Sequence, residues 1–373
     1  MRRGVAATLL GFLLASGCSG GEGDARVTLE WRRDPSLPCP QIRPGSDPIS
    51  TGLDVERLYD LPLEVAVGPV KVWGPHLSYP VAGRQVVVCD LVEGTVAVVA
   101  DRRAAEGTVY DYVVGSGDHV VYTRLSEVPN VMDTVDWAIE AVHLSTGERQ
   151  VLAELRGATP DLVPRPAVRG NLVAWTQEEK GGVAVRVHDL ATDAERELAG
   201  AEVQAGNVGI GEQDVVVFDG TSGAGRRDVF AVPAHGSAPM RRLTDQGDVQ
   251  PLVVANGRVT WRNGPTGPAE PERWTMVPGR DEQPVRVPSR GRAVPGAHFL
   301  VTEEGDGLAV HALSLETPPV PLVAEGQRLD RGALWDVGGD VVVWVGVDYP
   351  PIEAVRRHLH VARVRLGESP REG

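Results

Sequence analysis

Side chains able to do chemistry are spread thinly along this 373-residue chain. Acidic groups occur as Asp133 and Asp136, Glu178 with Glu179, Glu303-Glu304-Gly305-Asp306, and Asp348. Paired carboxylates can hold calcium through oxygen or divide acid and base roles between them. No alternating Asp/Asn loop of the helix-loop-helix kind accompanies them, and Glu303 to Asp306 falls where a hairpin turn is expected, so the groups read as solvated turns. Nine histidines are present, none at metalloprotease or short Cys/His spacing. His358-Leu359-His360 would put two imidazoles on one strand face, which the alternation of a half-buried strand explains. No catalytic residue, metal or cofactor is therefore assigned. Binding chemistry is better represented. Trp137 follows Asp136 in the longest irregular stretch, and Tyr349 follows Asp348 ahead of Pro350-Pro351. A flat, rigid ring beside a carboxylate suits peptide or sugar contact at low entropy cost, so these four residues are the binding candidates.

The cysteines carry a different chemistry. Arg2 and Arg3 precede an apolar run from Val5 to Ala15, then Leu14-Ala15-Ser16-Gly17-Cys18. The run is too short to span a bilayer and reads as an export signal over residues 1–17. The small residues before Cys18 resemble a bacterial lipobox, which implies that Cys18 is the lipid-modified first mature residue, with palmitate-class acyl chains as the membrane attachment. One chain holds a protein only marginally, and this modification supplies two or three. Cys39 and Cys89 are then the pair left in an oxidising compartment, where a disulfide is expected. Closing that loop would stabilise the fold by about 4 kcal/mol in the chain-entropy model.

The elements that must position these residues are short. Gly (44) and Pro (29) together make up nearly one residue in five, which rules out a long-helix bundle, and aromatic residues make up 5%. The formal charge of −14 becomes −16 once Arg2 and Arg3 leave, and no basic run interleaved with aromatics provides a nucleic-acid stripe. Residues 18–60 begin with Ser19-Gly20-Gly21-Glu22-Gly23-Asp24, a flexible tether. From residue 61 to 368 the chain becomes runs rich in Val, Trp, Tyr and Phe between Gly, Pro, Asn and Asp turns, an all-β pattern. The strand ends Tyr122, Trp175, Phe218, Trp261, Val301 and Trp344 are separated by 53, 43, 43, 40 and 43 residues. Such a period marks propeller blades, and seven units fit the length better than six. Trp175, Trp261 and Trp344 occupy equivalent strand ends and read as packing between blades. The strands at Leu63 to Val72 complete the first blade or close the ring against the last, since the final half-unit, His358 to Arg365, has no evident partner strand.

One unit carries Leu243-Thr244-Asp245, Pro251, Asn256-Gly257 and Val259-Thr260-Trp261, and Leu155, Pro166, Gly170 and Trp175 repeat that layout. These units resemble the TolB-like and WD-repeat-like β-propeller superfamily. The resemblance implies a seven-bladed propeller of four-stranded antiparallel blades that grips a protein, peptide or glycan at the ring's mouth. The expectation is thus a lipid-anchored, extracytoplasmic and noncatalytic binding or scaffold module at the cell envelope, with no nucleic-acid partner. The alternative is an envelope hydrolase or lyase with its site at the same mouth.

Overall fold

The computed structural model describes residues 27–42 and 53–366, apart from 38, 64–68, 82, 102–107, 127–133, 223–224, 237, 246, 248, 250–251, 264–271, 282, 288, 290, 306, 314–318, 323–327, 330–334 and 349–355. Seven antiparallel sheets form the blades of a propeller. Blades 1 to 6 take consecutive strands, spanning residues 71–101, 108–158, 167–199, 208–242, 253–287 and 293–321. Each begins with its innermost strand. The seven innermost strands touch in cyclic order, from Lys71–Trp73 through to Trp335–Gly338 and back, so the ring is closed.

Valine-rich middle strands explain the architecture. Leu77, Tyr79, Val86, Val87, Val88 and Cys89 are all fully buried in blade 1 because both faces of the sheet are covered by neighbours. Radial stacking solves the problem of a sheet apolar on both sides and leaves only short edges. The repeated tryptophans act as expected: Trp175 packs in the core between blades 2 and 3, Trp261 between 4 and 5, and Trp344 between 6 and 7. In blade 5 the hairpin joining the first two strands turns at Asn256 (φ 48°) and Gly257 (φ 82°). Left-handed values at both positions give the primed turn that matches strand twist, for which Asn-Gly is the preferred pair. The Leu243-Thr244 signature is structural. Leu243 N–H donates to Val229 O (2.7 Å), while the Thr244 hydroxyl donates to the buried Asp228 carboxylate (2.9 Å).

Closure comes from the amino-terminal part of the chain. Leu53–Leu63 pairs antiparallel with Arg356–Leu366 as the outermost strand of blade 7, outside Val341–Asp348 and Trp335–Gly338. This is the partner that the last half-unit lacked in the sequence, and it begins ahead of the expected boundary at residue 61. Lys71–Trp73 in turn supplies the innermost strand of blade 1. On the inner side of the same seam, Val72 N–H donates to Asp336 Oδ2 (3.1 Å). Gly338 allows the two strands to approach, because a Cβ there would lie 2.2 Å from Val72 O.

Before reaching blade 7 the chain lies along the outside of blades 1 and 2. Val27 N–H donates to Gly147 O, Arg32 bridges Val96, and Ile42 N–H donates to Leu91 O. Cys39 is bonded to Cys89 with a Cα–Cα distance of 5.4 Å, fixing this segment to the buried third strand of blade 1.

Candidate functional site

Antiparallel blades of one common order give the ring two unlike ends. The turn between the first two strands of every blade falls at one end, and the connection between the second and third falls at the other. The turn end is tied together. Trp73 Nε1 donates to Gly117 O (3.1 Å), Gly170 N–H to Ser116 Oγ (2.8 Å), Glu212 N–H to Gly257 O (3.2 Å) and Ala297 N–H to Gly339 O (2.9 Å). Asn256 spans three blades there, donating to Pro295 O (2.8 Å) and Val337 O (3.2 Å) and accepting from Gly339 N–H (2.9 Å). The opposite end carries the longer connections of blades 2, 5 and 7, between residues 126 and 135, 263 and 272, and 348 and 356.

A series of cations runs from the channel to this loop-bearing end. Lys71, one of two lysines in the chain, stands on the innermost strand of blade 1 with Nζ 3.3 Å from Asp336 Oδ1 and 5.4 Å from the centre of the Tyr112 ring. Burial opposes its charge, but Asp336 and Tyr112 outweigh that and hold the ammonium above its ordinary pKa. Lys71 is therefore a fixed positive charge. Arg292 lies next, its guanidinium 4.7 Å above the Trp335 ring and within electrostatic reach of Lys71. Beyond it, between blades 5 and 6, is Arg273, only 2% exposed. Burial and the neighbouring Arg262 push Arg273 down to about 10; Glu303 opposes them and Arg292 adds to them. The arrangement can hold a negatively charged or polar ligand at the channel mouth.

The residues singled out from sequence lie elsewhere, and one requires correction. Trp137 is in no loop: it stands in the Val135–His143 strand, 2% exposed, within the core between blades 2 and 3. The alternation that exposes Asp136 buries both its neighbours, and the irregular stretch ends before them, so Trp137 is a packing residue and not a surface platform. Asp136 is exposed beside that stretch, where Oδ1 accepts from Gly157 N–H (2.8 Å) and its own N–H donates to Ser126 Oγ (2.9 Å). Asp348 ends the second strand of blade 7 opposite Arg356, while its side chain, Tyr349 and Cys18 lie outside the described residues. Asp136 and Asp348 stand on blades 2 and 7, both at the loop-bearing end, with blade 1 between them. Among the described residues no three His, Cys, Asp or Glu side chains gather closely enough to hold a metal ion. His358 and His360 stack at 6.0 Å, and His360 lies on Trp344 at 5.0 Å, as packing partners of the last blade.

The fold and this charged mouth define a seven-bladed β-propeller closed by its amino-terminal strand. No family model and no curated protein matches the chain. Solved structures do. An oligogalacturonate lyase from Vibrio parahaemolyticus is similar with a TM-score of 0.57 at 11% identity, covering 84% of this chain and 98% of that one. A prolyl endopeptidase structure gives 0.55 at 12% identity, covering 82% of this chain and 51% of that one. TolB from Acinetobacter baumannii gives 0.42 at 17% identity, covering 70% and 62%. At these identities the likeness is one of fold.

Proposed function

We propose that this protein is a noncatalytic binding module, held at a membrane by lipid on Cys18, that presents its loop-bearing end to an envelope protein, peptide or glycan. One observation carries the reading: one end of the ring is tied by tight, mutually bonded turns, while the long connections and the Arg273, Arg262 and Arg292 guanidinium groups belong to the other. Loops on a rigid scaffold are where recognition residues concentrate. The lipobox-like run before Cys18 supports the membrane attachment and the exported location.

The second reading is a hydrolase or lyase at the same end, favoured by the gathering of Lys71, Tyr112 and Asp336 in the channel. The oligogalacturonate lyase of similar fold, matched over 98% of its own length, supports this reading.

The test is a panel of defined envelope peptides and neutral and acidic oligosaccharides on the immobilised mature chain. Replacing the connection between residues 263 and 272 by a two-residue turn abolishes capture, and replacing Gly170-Asn171 at the sealed end leaves it intact. Capture insensitive to the first change overturns the reading, and time-dependent shortening of a bound oligosaccharide or peptide establishes the enzyme instead. Intact mass decides the anchor: native protein without acyl mass, indistinguishable from Cys18→Ala, removes the membrane part.

A further inference from the structure

The seven blades provide an internal standard for one pair of positions. Four residues after the turn between its first two strands, each blade carries an aromatic or apolar side chain: Tyr79, Tyr122, Trp175, Phe218, Trp261, Val301 and Trp344. The next residue faces a fixed cross-strand partner. In blades 1, 2, 3, 4, 6 and 7 those pairs are Pro80 with Val86, Thr123 with Ile139, Thr176 with Val185, Asp219 with Val229, Thr302 with Ala309 and Val345 with Leu359. The partner on the third strand is apolar six times out of six. In blade 5 the pair is Arg262 with Arg273. Like charges directly opposite on an antiparallel pair repel, and this repeat position otherwise avoids such a pairing.

The surroundings do not neutralise the departure. Arg273 is 2% exposed, and among the described residues neither its Nε nor its Nη1 has a hydrogen-bond partner. Among the described residues, Arg262 Nε is likewise buried and unpartnered, as is Ser289 Oγ on the connection from blade 5 to blade 6. Arg292 adds a third guanidinium, held toward blade 7 by its contact with Trp335. The acid within electrostatic reach of Arg273 is Glu303, which makes no ion pair with it among the described residues. The acceptor Asn263 Oδ1 is also buried without a partner among the described residues, at the edge of the same hairpin. A buried, unpaired charge is strongly destabilising unless something compensates it.

We propose that the seam between blades 5 and 6 holds an anion-binding site, in which the Arg273 and Arg262 guanidinium groups, with Ser289, take a compact oxyanion: a carboxylate or a phosphate group. Guanidinium N–H groups in a planar fork match either ligand in a bidentate way that a lysine could not. Arg262 and Arg273 flank the longest connection of blade 5, so the site opens on the loop-bearing end and rests on the reading above for the larger molecule that carries the anionic group. A carboxylate would arrive on an acidic sugar or peptide, and a phosphate on a phosphorylated glycan or as the free ion.

The experiment is a calorimetric and thermal-unfolding titration of the mature, disulfide-bonded chain with inorganic phosphate, acetate and an acidic hexasaccharide in separate arms, at ionic strength fixed with chloride. Saturable binding of phosphate or of either carboxylate, with a matching rise in Tm, is expected, and the arm that responds identifies the source. Arg273→Gln lowers that affinity about tenfold or more, as loss of a charged hydrogen-bond donor pair does. Arg273→Met removes the response and unfolds at a higher temperature than the native protein in chloride alone, because a buried charge has gone. Should either variant fail to fold, Arg262→Gln at the more accessible partner reports the same loss. No response in any arm beyond that of chloride, or a response that persists in Arg273→Gln or Arg262→Gln, overturns the proposal. Oligosaccharide or peptide capture without an anion response sinks this inference alone. An anion response without any such capture sinks the broader binding reading and leaves the anion site standing.

Discussion

Two seams of the same ring are built in opposite ways. Where blade 7 meets blade 1, fifteen buried side chains form a continuous core that includes Leu77, Tyr79, Val343 and Val361. The Asp336 carboxylate binds the inner strands together, and the strand from Leu53 to Leu63 and the Cys39–Cys89 bond secure the outside. Where blade 5 meets blade 6, the buried apolar cluster among the described residues is Val287, Ala293 and Leu300. Thr260, Thr275, Arg262 and Arg273 occupy the facing side of blade 5. The comparison teaches that closure and recognition make separate demands. The seam that joins the chain's two ends must resist opening and is apolar, whereas a seam between consecutive blades is held by chain connectivity and can carry polar groups that cost stability.

The comparison can be broken from the closure side first. Removing residues 1–63 takes away the fourth strand of blade 7 and the segment bonded to Cys89, and the expected result is loss of the cooperative thermal transition by circular dichroism. A truncated chain that still melts cooperatively near the native temperature would show that blade 7 closes without it. Reduction of Cys39–Cys89 should cost about 4 kcal/mol, read as a lower urea midpoint with dithiothreitol than without. A midpoint unmoved by reductant would mean that the amino-terminal segment is held by packing alone.

A matched pair of core truncations sharpens the contrast. Leu359→Ala lies in the large core and Leu300→Ala in the small one, and both side chains are fully buried. We expect losses of about 4 and about 2 kcal/mol, since a rigid apolar site collapses less than a polar seam around the cavity. Equal losses would dissolve the distinction between the seams. The smallest effect is that of pH. Burial lowers the pKa of His76 on blade 1, which lies next to Trp73 and to Trp31 of the amino-terminal segment, although Asp90 and Asp118 pull it upward. The imidazole is thus kept neutral in the fold, and its contribution is complete above the unfolded value of about 6.5 and is lost as pH falls through the lower folded value. The Tm should decline on acidification below pH 6.5, and His76→Gln should flatten that decline.

Much of the ring was legible in the sequence because its cause is local and repeated. Each copy places a turn residue four positions before a buried aromatic or apolar one, as at Gly257 and Trp261, and periodicity multiplies a weak signal sevenfold. The closing strand was harder to read. Leu53–Leu63 mixes Asp54, Glu56, Arg57 and Asp60 with apolar residues, and as an outermost strand it needs no valine run. Trp137 misled because a tryptophan next to an aspartate at the end of an irregular stretch looks the same whether the strand has begun or not. The charged mouth was missed for another reason. Lys71, Asp336, Arg273 and Arg292 are distant in sequence, and only the ring brings them together. A signal existed all the same: aligning the copies shows Arg262 where three others have Thr123, Thr176 and Thr302.

The central claim is that the seam between blades 5 and 6 gives up packing for a ligand. Native-state amide hydrogen exchange on the intact chain, with and without saturating phosphate, tests it most directly. The account predicts that amides of Arg258–Asn263 and Glu272–Met276 exchange faster than those of His76–Val81 and Val341–Val345, and that phosphate selectively slows the first group. Equal protection of both seams, with no change on adding the anion, would contradict it.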